Sequence, residues 1–388
     1  MEIVEVSNRR ETDEFHQLPF NIYRDDENWI PHLKQDIEKK FHAKSNKHFK
    51  GDNAKRWLVK SEFGRLLGRI AAFIHPKTAY SGDFPLGGIG FFECVNDSDA
   101  AALLFDTAKQ WLQSKGMEAM DGPINFGERD QFWGLLIKNF ESPPTYGMNY
   151  NPEYYLKLFT DYGFQEYFQQ YMYYRLVDDP LQEVFLKKAE KLKKDKNFHC
   201  ETVKNNSLDR IAEDFTSVYN DAWGNTREGF KAMKKEQALK IVEALKPVMD
   251  PNIVFFAYYA GRPIGFYVNI PEMNQIFKHV KGNLDWFGKL IFVFQKFFNP
   301  PTTMYGLVFG VASDFHGKGV EGAMIKYAEE TIKTNTNYKD TVITWIGDFN
   351  PKMLKVMENL GAEQYRTYAT LRYLFDRGRK FERAASVN

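Results

Sequence analysis

Residues 314–325 read DFHGKGVEGAMI, a glycine-rich loop running straight into an amphipathic helical pattern. A helix N-terminus carries unpaired N–H groups and about half a positive charge, which suits a pyrophosphate. Gly317, Gly319 and Gly322 would let such a ligand approach the backbone closely, with His316 before them and Ala323 after. Lys318 adds a point charge. The loop contains no Gly-Lys-Ser/Thr, which disfavours a P-loop nucleotidase, and it lacks the three-glycine spacing of a dinucleotide fingerprint.

The elements that must position this loop are visible as a repeat. WLVKSEFGRLLGRIAAFI in the first half and VFFAYYAGRPIGFYVNI in the second each read as strand, Gly-Arg turn, strand. Gly64 and Gly261 lie 197 positions apart (261 − 64). Asn151 and Asn350 open NPEYYLKLFTDYGF and NPKMLKVMENLGA at an offset of 199 (350 − 151), and Gly163 and Gly361 close them at 198 (361 − 163). Tyr23 and Tyr219, each in a helical segment, differ by 196 (219 − 23). A near-constant offset over ordered landmarks predicts two copies of one α/β unit. The copies are expected at 1–178 and 197–388, joined by a basic helical linker at 179–196 with a lysine stripe at Lys187, Lys188, Lys191 and Lys194. Each copy is expected to run helix, strand hairpin, strand, helix, strand, helix, strand. In the second copy the helices fall at 322–334 and 351–360, with parallel pairing across the first of them.

Bulk properties bound the partners. The chain has 388 residues and a net charge of +1, so no whole-chain field draws it to nucleic acid. Its 34 Phe and 21 Tyr point to large cores. Cys94 and Cys200 are far apart, and neither they nor His42 and His48 have metal-ligand spacing, so no metal is expected. The N-terminal MEIVEVSNRRETDEF lacks an export signal, and the apolar run LIFVF is too short for a bilayer span, so a cytoplasmic protein is expected.

The order strand, HGKGVEGAMI, helix, strand, Asn350, VMENLGA, strand resembles the GNAT superfamily of acyl-CoA N-acyltransferases. His316 takes the Arg/Gln place of that family's phosphate loop and Gly319 its first glycine. Glu321 takes the second small position with Gly322 just after, and Asn350 and Leu360-Gly361-Ala362 fit the next motif. LPFNIYRDDENWIPHL, GRIAAF, GFFEC, GPINF, YNPEYY, YNDAW and PEMNQIFKHVKGNLDWFG narrow the resemblance to a largely uncharacterised family of tandem-GNAT bacterial proteins, over nearly the whole chain. The resemblance implies two tandem GNAT-like domains, each a mixed twisted sheet flanked by helices. Two departures stand out. Glu321 puts a carboxylate where a diphosphate would sit, and Met357 replaces the tyrosine that protonates the leaving thiolate in many family members. The first copy departs further: NDSDAAALLF has no glycine and sets Asp97 and Asp99 where phosphates would lie, so this copy is expected not to bind acyl-CoA.

The resemblance further implies acetyl-CoA or a longer acyl-CoA as donor, with Phe309, Gly310, Val311 and Ala312 holding the pantetheine and carbonyl. Deprotonating a lysine-like amine at pH 7 costs roughly 4–5 kcal/mol, so a base or a dry pocket is expected. Glu272, in NIPEMNQ, is the favoured base or amine anchor with Asn274 near it; Asp348 is the second, and Asn350 is an orienting polar group. Residues 286–298, WFGKLIFVFQKFF, put Phe287, Leu290, Ile291, Phe294, Phe297 and Phe298 on one helical face. Docking on the first copy, walling a long acyl chain or lipid amine through Phe287 and Phe294, and a shallow membrane contact are the readings of that face.

The expectation is an N-acyltransferase working by direct attack in a ternary complex, on a small-molecule or lipid amine, as a monomer. The alternatives are a non-catalytic GNAT-fold ligand-binding or regulatory protein and a Fem-like aminoacyl transferase. The near-neutral charge disfavours the last, which must hold a transfer RNA.

Overall fold

Ala100, Ala101, Leu104, Phe105, Ala108 and Leu112 recur at helical spacing, and in the computed structural model they form the buried face of a helix spanning Ser98–Ser114. The structure describes residues 1–126, 129, 131–224 and 231–386, apart from the side chains of Val184, Phe185 and Lys188; Lys188 of the expected lysine stripe thus lies outside the described residues.

The first half runs β1 (Glu2–Glu5), α1 (Arg9–Ile22), α2 (Lys34–Lys40), β2 (Ala54–Lys60), β3 (Leu66–Phe73), β4 (Leu86–Cys94), α3 (Ser98–Ser114), β5 (Ala119–Gly122), β6 (Leu135–Lys138), α4 (Tyr154–Tyr162) and β7 (Gln165–Leu176). The second runs α5 (Glu183–Lys193), β8 (Phe198–Thr202), α6 (Leu208–Gly224), α7 (Lys235–Leu245), β9 (Val254–Tyr259), β10 (Arg262–Pro271), α8 (Asn274–Phe277), α9 (Trp286–Phe298), β11 (Thr303–Val311), α10 (Val320–Asn335), β12 (Asp340–Gly347), α11 (Pro351–Asn359) and β13 (Glu363–Leu374). The doubled order that the repeat predicts is present, with β1, α2 and β6 added in the first half and β8, α7, α8 and α9 in the second. Local chemistry sets several boundaries. Asn8 and Glu11 form a capping box at the start of α1, and Gly163 ends α4 at φ 109°, a left-handed position that favours glycine.

The strands form one 13-stranded mixed sheet in the order β1-β2-β3-β4-β5-β13-β7-β12-β11-β10-β9-β8, with β6 also pairing β13. By the repeat, β5 corresponds to β12 and β7 to β13. Yet β13 pairs antiparallel with β5, and β7 with β12. Each half of the sheet is therefore completed by the last strand of the other half of the chain. Arg372 of β13 forms a two-pronged ion pair with buried Asp121 of β5 at 2.7 and 2.9 Å. A core cluster containing Tyr23, Tyr150, Met172, Ile270, Tyr305 and Tyr368 crosses the junction. These contacts join the two halves through a shared cluster and a shared sheet.

Candidate active site

The parallel pair β11–β12 is registered only from Thr303–Gly306 against Asp340–Ile343. Beyond it the strands part, leaving Leu307–Val311 and Thr344–Gly347 without each other as partners. On the other side of β11, Val308 faces Val268 and Gly306 faces Asn269, so Leu307 is an extra residue. A bulge of this kind bends the strand and increases its local twist. Phe309 packs toward Ile325 and Met357, while Gly310 lies against the Trp223 ring at the end of α6. A Cβ on Gly310 would fall 2.8 Å from that ring, so only glycine fits.

The parted strand leads into the loop. After Ala312 come a single 3-10 turn, Gly317 at φ 73° and Gly319 at φ 94°. Gly319 is the N-cap of α10 and supplies no side-chain acceptor, so the first amides of that helix are not capped by it. Nothing lies within 4 Å of where a Gly317 Cβ would be; its backbone angle, not crowding, favours glycine there. The loop is braced from outside. Arg262 bonds Asp221 and Asp314 at 2.5 and 2.9 Å, and Asp221 accepts from the Ser313 hydroxyl at 2.7 Å. His316 Nε2 lies 2.9 Å from the Val311 carbonyl, the contact of an Nε2–H donor. The Lys318 ammonium sits 5.0 Å above the Phe315 ring. Glu321 is half-buried in the first turn of α10, Gly322 is buried there, and Ala323 lines a cavity of about 350 Å³ with Lys326, between α5, β8 and α10.

The remaining residues expected at the site fall into separate groups. Asp348 follows the end of β12, where the parted strands approach the loop, and its carboxylate accepts from Arg383 at 2.7 Å. Asn350 is next to it but caps α11, accepting from the Met353 amide at 3.3 Å. Met357 is buried among Phe309, Ile325 and Ile346, so core packing accounts for that residue. Glu272 and Asn274 meet each other at the opposite end of β11. The Glu272 amide donates to the Thr303 carbonyl, four residues or about 13 Å of strand from the bulge at Leu307. One Glu272 oxygen accepts from the Tyr146 and Asn274 amides at 2.8 and 2.9 Å, and the other has no partner among the described residues. Burial pushes this carboxyl up to about 7. Asn274 donates to the Pro144 carbonyl at 2.7 Å, tying the second half to the first. Phe287 and Phe294 are exposed on α9. Ile291, expected on their face, lies at its edge, about 40° around the helix from Phe287, and packs beside Met273 and Phe277.

The first half keeps the same design with its slot closed. β4 and β5 pair only at Leu86–Gly88 with Ala119–Asp121, and two residues, Phe91 and Phe92, bulge opposite Ile70. The gap beyond is filled by the chain after β5: the Ile124 amide bonds the Ile89 carbonyl, and the Ile124 carbonyl would lie 1.7 Å from a Cβ on Gly90. At the helix start the Asp97 carboxylate accepts from the Asp99 and Ala100 amides, both at 3.0 Å, occupying the place a phosphate would take.

Sequence reasoning missed one cluster in this half. Arg69 on β3 faces Glu93 on β4, 3.5 Å apart and buried, and Glu93 also accepts from Tyr23 and Tyr155 at 2.7 and 2.8 Å. Burial raises the Glu93 carboxyl, against the opposing pull of Arg69 and both hydroxyls. The pair lines a cavity of about 430 Å³ with His16, Trp29, His32 and Lys281. Burial pushes His32 down to about 4, leaving a neutral imidazole. In the second half the registered counterparts are Phe266 and Gly310. The signal was present, since Arg69 and Phe266 differ by the repeat offset of 197 (266 − 69). Five strand steps separate β4 from β11, about 24 Å, so this cavity and the open slot are distinct places.

Among the described residues no group of three or more His, Cys, Asp or Glu could hold a metal, and no helix is long and apolar enough to cross a membrane. No family model matches the chain. A tandem GNAT protein from the clavulanic acid biosynthesis pathway superposes with a TM-score of 0.55 at 11% identity, over 96% of this chain and 98% of that one. The fold is thus that of two tandem GNAT domains. In sequence, the chain is 24% identical over 373 residues to a protein of Caulobacter vibrioides named bacterial ceramide synthase, covering 95% of this chain and 96% of that one. It is likewise 24% identical over 377 residues to protein YghO of Escherichia coli, covering 93% and 92%.

Proposed function

We propose that the chain is an N-acyltransferase that binds acyl-CoA in its second half and passes the acyl group to an amine. The observation that carries this reading is the parting of β11 and β12 at the Leu307 bulge, leading into a helix start without a side-chain cap. The same place in the first half is plugged by Ile124 and Asp97. Residues 197–388 would then form the donor-binding copy, residues 1–178 a degenerate copy that serves as scaffold, and 179–196 the linker. The diphosphate would lie at His316–Gly319, Gly322 and Ala323, and the pantetheine and thioester along Phe309–Ala312. Backbone donors of β11 would hold the oxyanion.

The amine nitrogen attacks the thioester carbonyl, the C–N bond forms, and the C–S bond breaks. A thiolate of pKa about 8.5 leaves without a dedicated acid, which suits a buried Met357. Of the two expected bases, Asp348 stands at the end of the slot and takes the amine proton in this reading. Asn350 keeps the turn beside it in place, and Glu272 with Asn274 holds the halves together from the far end. A lipophilic amine is the favoured acceptor, supported by the name of the Caulobacter relative and the exposed Phe287 and Phe294. Acetyl-CoA and longer acyl-CoA both remain donors to test. In this reading the chain works in the cytoplasm and as a monomer, the latter because the exchanged pairing of β7 and β13 supplies internally what a dimer would.

Incubation with acyl-CoA of graded length and a long-chain primary amine tests this. Free thiol and amide should appear in equal amounts, and Asp348→Asn should lower kcat about 10²-fold. No thiol release above buffer for any pair contradicts the reading. A non-catalytic ligand-binding role is the second reading, favoured by Glu321 in the first turn of α10.

A further inference from the structure

Helix α9 presents its apolar side outward. Gly288 sits tightly on the Asn283 carbonyl, and Ile291 and Phe292 pack against Met273, Ile276 and Phe277. The opposite side carries Trp286, Phe287, Leu290, Phe294, Phe297 and Phe298, with Trp286 75% and Phe297 77% exposed. At about 100° per residue these side chains fall in one continuous arc of about 120°, with Ile291 at its edge and Gly288 and Phe292 on the side that docks. An ordinary surface helix shows the reverse arrangement. A contiguous exposed apolar patch of this kind marks an interaction site.

The charge around the arc indicates what covers it. Lys278, Lys281, Lys289 and Lys296 are exposed within and just before the helix. The one acidic residue between Lys278 and Phe298, Asp285, caps the helix by accepting from the Gly288 amide at 2.9 Å. The arc itself offers a single hydrogen-bonding group, the Trp286 N–H, whereas protein interfaces carry about one hydrogen bond per 100–200 Å². A second copy laid face to face would bring the same lysines together. Thirteen residues of helix span about 20 Å, too short to cross a bilayer. We propose that α9 lies in the plane of an anionic lipid bilayer, with its aromatic arc at the acyl boundary and its lysines among the headgroups. The loop 281–283 leading into α9 also walls the 430 Å³ cavity of the first half, so docking sets the rim of that cavity at the lipid surface. This goes beyond the acyl-transfer reading and stands without it, because it requires no CoA.

Co-sedimentation of the full chain, without CoA, uses mixed phosphatidylglycerol–phosphatidylcholine vesicles and pure phosphatidylcholine vesicles. The wild type should bind the mixed vesicles, and Phe287→Ser/Phe294→Ser/Phe297→Ser should lose at least about tenfold in partition. Lys278→Glu/Lys289→Glu should lose about fivefold per charge on mixed vesicles only. All five positions are exposed, so thermal melting should be unchanged and serves as the folding control. Absence of wild-type binding to mixed vesicles, or equal binding by the serine variant, overturns the proposal. A lipid-free oligomer that the serine variant converts to monomer also overturns it, and identifies the arc as a contact between copies.

Discussion

Glu272 shows how one buried carboxylate can report on the whole assembly. Its folded-state value of about 7 lies above the ordinary range for a carboxyl, so between those two values the folded chain holds a proton that the unfolded chain has released. Stability should therefore fall as pH rises from the unfolded value through about 7 and then level off. Denaturant melts across that window should show a loss on the order of 2–3 kcal/mol in the wild type, absent in Glu272→Gln, which keeps the acceptor for the Tyr146 and Asn274 amides. Equal pH slopes in the two proteins would show that the carboxyl titrates alike in both states. The sequence singled out Glu272 as a candidate base from its place after a strand, and the structure sets it at the Thr303 end of β11, away from the parted strands. Its partners were not legible, because Tyr146 is 126 residues away and nothing in local periodicity marks a contact between halves. Arg69 is the reverse case: its misfit against Phe266 was legible through the repeat, but its partner Glu93 and the counterpart Gly310 lie 217 positions apart (310 − 93), because α8 and α9 lengthen the connection between β10 and β11.

The two helix starts that follow the parted strands are the elements that distinguish the halves. At α3 the Asp97 side chain satisfies two amides, while at α10 Gly319 satisfies none with a side chain. Glu321 lies in the first turn of α10, where a carboxylate favours the free helix but opposes a bound diphosphate. Glu321→Gln should accordingly raise acyl-CoA affinity by about two- to fivefold, an effect of the size such charges have at helix ends. Titration calorimetry of the two proteins measures it, and unchanged or weaker binding would place the phosphates elsewhere. The loop and both helices could be read from glycine spacing and apolar periodicity. The Leu307 bulge had one cue, Gly306 just before it, but a lone glycine in a strand does not say which residue is the extra one.

At the scale of the molecule, the repeat foretold two copies, but not that their last strands would trade places. β7 and β13 are both 12-residue strands at corresponding positions in the repeat, yet β13 pairs with β5 and β7 with β12, and the ion pair of Arg372 with Asp121 belongs to that exchanged arrangement. Removing residues 363–388 would strip the first half of its neighbour strand and leave Asp121 buried without its cation. That truncation, and residues 1–178 expressed alone, should lack cooperative melting and near-ultraviolet circular dichroism. A folded, monomeric 1–178 fragment would show the exchange to be dispensable. The doubled fold with one open slot leads to the most direct test. Acetyl-, palmitoyl- and free CoA are titrated into the full chain by calorimetry, alongside Gly319→Val, which forces a Cβ onto a left-handed backbone at the loop. The account predicts saturable binding of one CoA per chain, lost in the variant. No binding of any of the three, two equivalents per chain, or binding indifferent to Gly319→Val would contradict it.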